Sequence, residues 1–453
     1  MTGSKKQKII ECLCCMAFYL IFLFADGVYL GSDSRGYIEM IPAREPLYPL
    51  FLAALRAVFK EDIYLYAAAF IQCLLAGYAV FMSTGYLTKR LGCGKSVEYL
   101  IWLVHAGTAL LTRFASERGA VYPVNIMTEG LTMSLWIIFS TLSLRALYSG
   151  NIKSFILPLL LAALMMDIRK QMAVLFIAFT AAVFVTGIRR FSLKTVLKRT
   201  LAAVGISVMA AALAVCITRI YNFCLRGEFV QNTRDMNLVL TTSLYVADKE
   251  DAALIKEEGA RELFCIVMDE TDKSESNIAY APKDWEGLAV HYEDHYDLIT
   301  LDTTKDLFEE YATAHGAAPG LEAQIEADRL SSVMVKSLLK ANAPRYLKIY
   351  AASLLTGMIN SIAHRGGIIN IFAGILYVLY IILLVICITG KVSEDAQCMA
   401  GFVLLLIISN VGVTAALIFC QSRYMIYNMP LFYISLMMMA LKLKDAYLSK
   451  GKV

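Results

Sequence analysis

Charge is what this chain has least of. Only 18% of its 453 residues are Asp, Glu, Lys or Arg, against 58% hydrophobic, and mean hydropathy is +0.60. Soluble domains carry about a quarter charged residues, so a water-soluble enzyme of this length is excluded. Proline is sparse, at 9, and histidine sparser, at 5. The 11 cysteines lie mostly in apolar runs such as "ECLCCMAF", with only Cys224 and Cys265 in or beside a polar region. No disulfide framework is implied, and the doubled C-x-x-C spacing of a structural zinc site is missing. N-glycosylation sequons and an endoplasmic-reticulum retention tail are missing too, which points to a bacterial plasma membrane.

Long apolar runs are abundant. They recur near 9–30, 63–87, 97–113, 125–147, 154–167, 171–188, 200–221, 368–390, 397–420 and 423–442. The expectation is an all-α polytopic membrane protein of about ten crossings, each of about 17–25 residues. "KKQK" before the first run resembles a signal peptide but leads to no small-x-small cleavage site, so it reads as an uncleaved anchor. The basic cluster Arg189, Arg190, Lys194, Lys198 and Arg199 falls on the side shared with both termini, which makes that side cytoplasmic. Between Arg226 and Arg345 the balance reverses, with 24 acids to 12 bases. Residues 222–346 therefore read as a small, mostly helical, acidic extracytoplasmic insert. They divide a membrane module over 1–221 from C-terminal helices over 347–445 and a cytoplasmic tail over 446–453. The stretch 347–363 is expected to lie in the interface, because a crossing there would export the basic C-terminus. Lys/Arg segregation of this kind reports topology, and nucleic acid is not an expected partner.

Some charges sit where a membrane protein pays for them. Phe155–Met166 is too short to cross, at about 18 Å by helical rise. Asp167, Arg169 and Lys170 should then turn inside the protein below the outer surface, where charges persist only if paired or lining a polar cavity. Asp167 is expected to neutralise one of the two cations, leaving the other for an anion. In "GSDSRGYIEMIPAREPLYPLF", residues 31–51, Asp33, Arg35, Tyr37 and Arg44 follow the first apolar run. Pro46 then opens a helix whose apolar positions Leu47, Leu50, Phe51, Ala54, Leu55 and Val58 recur at helical spacing. It should lie in the interface as a roof. A second outer loop brings Arg113, Glu117, Arg118 and Glu129, with the glutamates expected to pair with those arginines or to meet substrate hydroxyls. Arg423 and Tyr424 open the last helix, and His364 and Arg365 precede a crossing on the same side. Asp33 itself could equally cap a helix or pair with Arg35.

Taken in order, "SDSRGY", "REPLYPLFLAAL", "IMTEGLTMSLW", "DIRKQ" and "SRYMIYNMP" resemble the GT-C membrane glycosyltransferases, of the protein mannosyltransferase and aminoarabinose transferase kind. The resemblance covers most of 1–221 and 365–440 and omits the insert. It implies a seven-helix N-terminal module with juxtamembrane helices in the first outer loop, and a first-loop Asp at the reaction centre, here Asp33. Neither an acidic neighbour nor a D-x-D accompanies Asp33, so acceptor and metal use are left open. The implied donor is a polyprenyl-phosphate sugar, and the acceptor a glycan, lipid or protein at the outer surface.

On that reading Asp33 is the general base, while Arg169, Lys170, Arg423 and Arg44 hold the donor phosphate. Tyr37, Glu117, Glu129, His364, Arg365 and Tyr424 are further substrate contacts. No cofactor is expected; a divalent metal is allowed but not implied. His291 and His295 in "VHYEDHYD" have helical metal-ligand spacing but read better as an acidic, aromatic-packed surface. The rival function is a transporter or flippase for a lipid-linked or anionic substrate. Absent internal repeats and Gly/Pro-broken helix pairs speak against it.

Overall fold

The computed structural model describes residues 5–61, 63–115 and 119–450. The protein is 81% helical, and no strand occurs among the described residues. The first part runs α1 (Lys5–Asp26), α2 (Ser34–Ile38), α3 (Leu47–Val58), α4 (Tyr64–Arg90), α5 (Lys95–Ala115), α6 (Thr128–Ser149), α7 (Ile156–Met166), α8 (Val174–Gly187) and α9 (Leu193–Arg226). The acidic segment holds α10 (Asp235–Val246), α11 (Glu258–Lys273), α12 (Trp285–Asp297), α13 (Asp306–Ala314) and α14 (Leu321–Leu338). Then come α15 (Ala343–Asn360), α16 (Gly367–Thr389), α17 (Glu394–Leu417), α18 (Ser422–Met425) and α19 (Met429–Lys450).

Eight stretches among the described residues are long and apolar enough to cross a membrane. They are α1, α4, α6, Lys170–Gly187 with α8, α9, α16, α17, and Ser422–Leu448 with α18 and α19. Two of the ten expected crossings are outside that set: α5 carries Glu98, His105 and Arg113, and α7 has only 11 residues. α15, over the segment expected in the interface, is outside it as well.

Small residues decide how closely the helices approach. Ala68, Ala69, Ala76 and Ala79 are buried along α4, and Gly77 faces α1 so tightly that a Cβ there would strike the Met16 backbone. In a bilayer, where apolar surface gains little from meeting apolar surface, such close backbone contact is a main source of helix association. A second core joins α6–α8 to α17 and α19, with Trp136 stacked on Tyr427 at 5.4 Å between ring centres. The acidic segment has its own core, including Leu244, Phe264, Tyr292, Phe308 and Met334. That core runs on into Ile349 of α15 and Phe419 after α17.

The loops carry the site. Tyr29 donates to Val124 O at 3.1 Å and accepts from Ile126 N–H at 2.9 Å, fastening the start of the first loop to the second. Ser34 Oγ donates to Ile126 O at 2.7 Å. Gln72 of α4 accepts from the Tyr48 hydroxyl and donates to Pro123 O and Asn125 O, each at 3.0 Å. α3 starts at Leu47 after Pro46, as expected, and its Tyr48, Pro49 and Leu52 turn inward on α4 while Leu50 and Val58 stay exposed. On the far side, Leu47 N–H meets Asp167 O at 3.0 Å, and Thr233 N–H meets Pro42 O at 3.4 Å.

Replacing Gly77 by Leu should force α1 away from α4 and destabilise the protein by about 1–3 kcal/mol, the usual range for overpacking. Thermal unfolding in detergent checks this; an unchanged melting temperature would mean that the α1–α4 contact is not so tight.

Candidate functional site

Four segments separated in sequence meet at one end of the bundle. The first loop brings Asp33, Tyr37 and Arg44, and the start of α6 brings Thr128 and Glu129. The turn between α7 and α8 brings Arg169, and the entry to α18 brings Arg423 and Tyr424. Arg44 Nη2 donates to Asp33 Oδ1 at 2.6 Å, and Arg423 Nη1 lies 3.8 Å from Asp33 Oδ2. Arg169 Nη1 donates to Glu129 Oε1 at 2.5 Å and to Thr128 Oγ1 at 3.1 Å. Both Arg169 and Arg423 lie over the Tyr424 ring, at 4.5 and 4.9 Å from its centre, and Arg44 lies over Tyr37 at 4.8 Å. Arg423 also donates to Gln421 Oε1 at 2.5 Å and to the Tyr424 hydroxyl at 2.9 Å.

Local structure explains these directions. Asp33 stands just before α2 with helical backbone angles, and its side chain makes no cap bond. Arg35 pairs outward with Glu39 at 2.6 Å. Neither cap nor Arg35 partner, the Asp33 carboxylate is left to Arg44 and Arg423. Arg169 has extended backbone, φ −154° and ψ 116°, where Asp167 two residues earlier is still helical. The change of course sends Arg169 towards α6 and Asp167 towards α9. Asp167 therefore does not neutralise Arg169, contrary to the sequence expectation. One of its oxygens accepts from Thr218 at 3.2 Å, and the other is buried without a hydrogen-bond partner. The counter-ion of Arg169 is Glu129, 3% exposed. Arg113, expected near the outer glutamates, instead meets Asp26 at 3.1 Å.

Other expected residues are held elsewhere. Lys170 is ion-paired with Asp235 at the start of α10. His364 Nδ1 is 2.9 Å from Ser422 Oγ, and Arg365 pairs with Glu293 of α12 at 2.6 Å. A second strut joins α12 to the same stretch, Asn370 Nδ2 donating to Glu286 Oε1 at 3.0 Å. Glu117 and Arg118 lie outside the described residues. His291 and His295 stack at 4.1 Å, with His291 Nδ1 at 2.9 Å from the Tyr245 hydroxyl. Among the described residues no group of three His, Cys, Asp or Glu side chains is arranged to hold a metal. Sequence reasoning passed over Gln171, which accepts from Arg169 Nε at 3.1 Å and donates to Asn410 and Thr414 of α17, each at 3.1 Å. Its signal was there: an amide at the mouth of an apolar run needs a partner.

An apolar cavity of about 470 Å³ lies between the end of α5 and the residues around Ser422. Leu111 and Phe114, Ile362 to His364, Phe372 and Ile426 are among its lining residues, and so is Ser422, next in sequence to Arg423. Counting side chains, three guanidiniums face two carboxylates, an excess of one positive charge. Burial alone would raise the Asp33 carboxyl, but Arg44 and Arg423 outweigh it and hold Asp33 below its ordinary value. Asp33 is thus a carboxylate at neutral pH, and a weak base while both arginines stay on it. Comparison with models of known protein families gives no match, and comparison with individual curated proteins gives none either.

Arg169→Met should cost about 3–5 kcal/mol of stability, because it leaves Glu129 charged and buried, whereas Arg169→Met with Glu129→Leu should recover most of that loss. Unfolding of the three proteins in detergent checks the pair. The Asp33 ion pair has the sign of a depressed acid: its contribution is complete above the ordinary carboxyl value, about 3.9, and is lost as pH falls through the lower folded value. The melting-temperature gap between wild type and Asp33→Asn should therefore stay constant from about pH 7 to 5 and close only below about pH 4. A gap that closes near neutrality would contradict the assignment.

Proposed function

We propose that this protein is a GT-C-type membrane glycosyltransferase. It moves a sugar from a polyprenyl-phosphate donor to a hydroxyl of a glycan, lipid or protein acceptor at the outer surface of a bacterial plasma membrane, inverting the anomeric carbon. The observation that supports this reading is an arginine-rich, net-positive cluster together with an apolar cavity of about 470 Å³ that shares one segment with it, Ser422 lining the cavity and Arg423 reaching Asp33. An amphiphile with a phosphate at one end and a hydrocarbon chain at the other matches both halves. In this reading α5 and α7 complete ten crossings, both termini are cytoplasmic, and the acidic segment lies outside.

Arg423 and Arg44 are the groups that meet the donor phosphate, with Arg169 held behind them by Glu129 and stacked on Tyr424. Guanidiniums grip phosphate oxygens in pairs. Cations fixed in a water-poor site are often the largest single contribution to rate. The acceptor oxygen bonds to the anomeric carbon as the bond from that carbon to the phosphate oxygen breaks, and the phosphate leaves with the electron pair. Asp33 takes the acceptor proton. The donor also prepares this base: a phosphate drawing Arg44 and Arg423 towards itself removes the two charges that hold the Asp33 carboxyl down. Lys170 is one step removed, since Asp235 must release it first.

Asp33→Asn should bind donor at least as tightly as wild type, because a competing anion is gone, and should lose transfer by about a hundredfold or more, the contribution of a general base. Proteoliposomes supplied with radiolabelled polyprenyl-phosphate sugar read both quantities. Near-normal transfer by Asp33→Asn removes Asp33 from the mechanism. Label carried intact across the bilayer, with no sugar transferred, replaces the enzyme by a flippase.

A further inference from the structure

A small cavity lies between α1, α4, α5, α6 and the turn Tyr122–Val124. Three of its lining residues carry a buried polar atom with no hydrogen-bond partner: His105 Nε2, Ser134 Oγ and the Tyr122 hydroxyl. They are 3%, 1% and 2% exposed and come from three different elements. Polar atoms withdrawn from water without a partner are costly, and here three of them line one cavity. Ser134 shares an unpartnered hydroxyl with Ser140 and Ser143 of the same helix, but of the three it alone lines this cavity. Thr132 and Thr141 give their hydroxyls to carbonyls four residues back, at 2.9 and 2.8 Å, whereas Ser134 does not.

We propose that this cavity is a binding site for one ordered water, held by His105, Ser134 and Tyr122. Its volume of about 10 Å³ is about the least that admits a single water. The chemistry matches: a neutral imidazole nitrogen and two hydroxyls can supply both donors and acceptors, and a water offers two of each. The water has a structural task. Tyr122 opens the turn whose Val124 O receives Tyr29 N–H, whose Pro123 O receives Gln72, and which leads to Ile126 O, the acceptor of Ser34 Oγ. Ser34 is the neighbour of Asp33. From the α5 side the same turn is held by Tyr122 N–H donating to Thr112 Oγ1 at 3.3 Å. The water is the second tie on that side, so His105 and Ser134 are positioning residues for the loop bearing Asp33, whatever the substrate.

Hydroxyl-radical footprinting in water enriched in heavy oxygen tests this on the intact protein in detergent. A brief X-ray pulse generates radicals from waters beside a side chain, so a buried residue takes up heavy oxygen only where water is held next to it. Tyr122, which lines the cavity and is 2% exposed, should carry the label. Tyr380, fully buried with its hydroxyl bonded to Ala400 O at 2.9 Å and Ser435 Oγ at 2.7 Å, should not. His105→Gln, which keeps a polar group, should preserve the label on Tyr122, and His105→Leu with Ser134→Ala should lose it. Labelling of Tyr122 no higher than that of Tyr380 overturns the proposal in the wild-type protein alone, without recourse to a variant. Label that survives the double substitution overturns it as well.

Discussion

A guanidinium largely withdrawn from solvent must be surrounded by partners, and Arg169 is the clearest case in this protein. Its partners are drawn from three directions: Glu129 and Thr128 on α6, Gln171 on its own turn, and the Tyr424 ring beyond α17. Each in turn commits its own segment. Glu129 sets where α6 begins relative to the second loop, Gln171 ties the α7–α8 turn to Asn410 and Thr414, and Tyr424 brings Arg423 to Asp33. The short α7 makes this possible, because its eleven residues are fewer than the roughly 17–25 of a usual membrane-spanning helix. A full-length helix would have delivered the same charges to water, where no such convergence would be required.

Much of this was legible in the sequence because charge is rare in it. Asp33, Arg44, Arg169 and Arg423 stood out against long apolar runs, and apolar periodicity placed α1, α3, α4 and the last helices close to where they lie. What could not be read was partner choice. Asp167 was the expected counter-ion, with Glu129 assigned to Arg113 and Arg118 or to substrate; the backbone change between Asp167 and Arg169 turns Arg169 to Glu129 instead. Lys170 looked the same as Arg169 on paper, but the next residue along a turn points elsewhere, and it meets Asp235. Nothing in the local sequence of α3 says that Tyr48 rather than Leu50 faces inward; α4, with Gln72 waiting for the Tyr48 hydroxyl, decides it.

Buried amides and hydroxyls do more of the organising than the charged residues that first attract notice. Gln72 joins α3, α4 and the second loop, and Asn410 with Gln171 joins the α7–α8 turn to α17. Such residues leave a faint trace in sequence, a single polar letter in an apolar run, because their role is defined by partners far along the chain. Asp167 is less well served, with one oxygen accepting from Thr218 and the other buried without a hydrogen-bond partner.

The two struts from α12 have a mechanical consequence. Arg365 on one side and Asn370 on the other flank Gly366 and Gly367, whose φ values of 147° and 43° suit residues without a side chain. Glu293 and Glu286 grip those flanks, and the residues just before them, Ile362 to His364, form part of the apolar cavity's rim. The acidic segment is therefore fixed at two points to the backbone that leads from that rim. The edge of the apolar cavity is thus tied to the acidic segment by side-chain contacts on either side of a glycine pair.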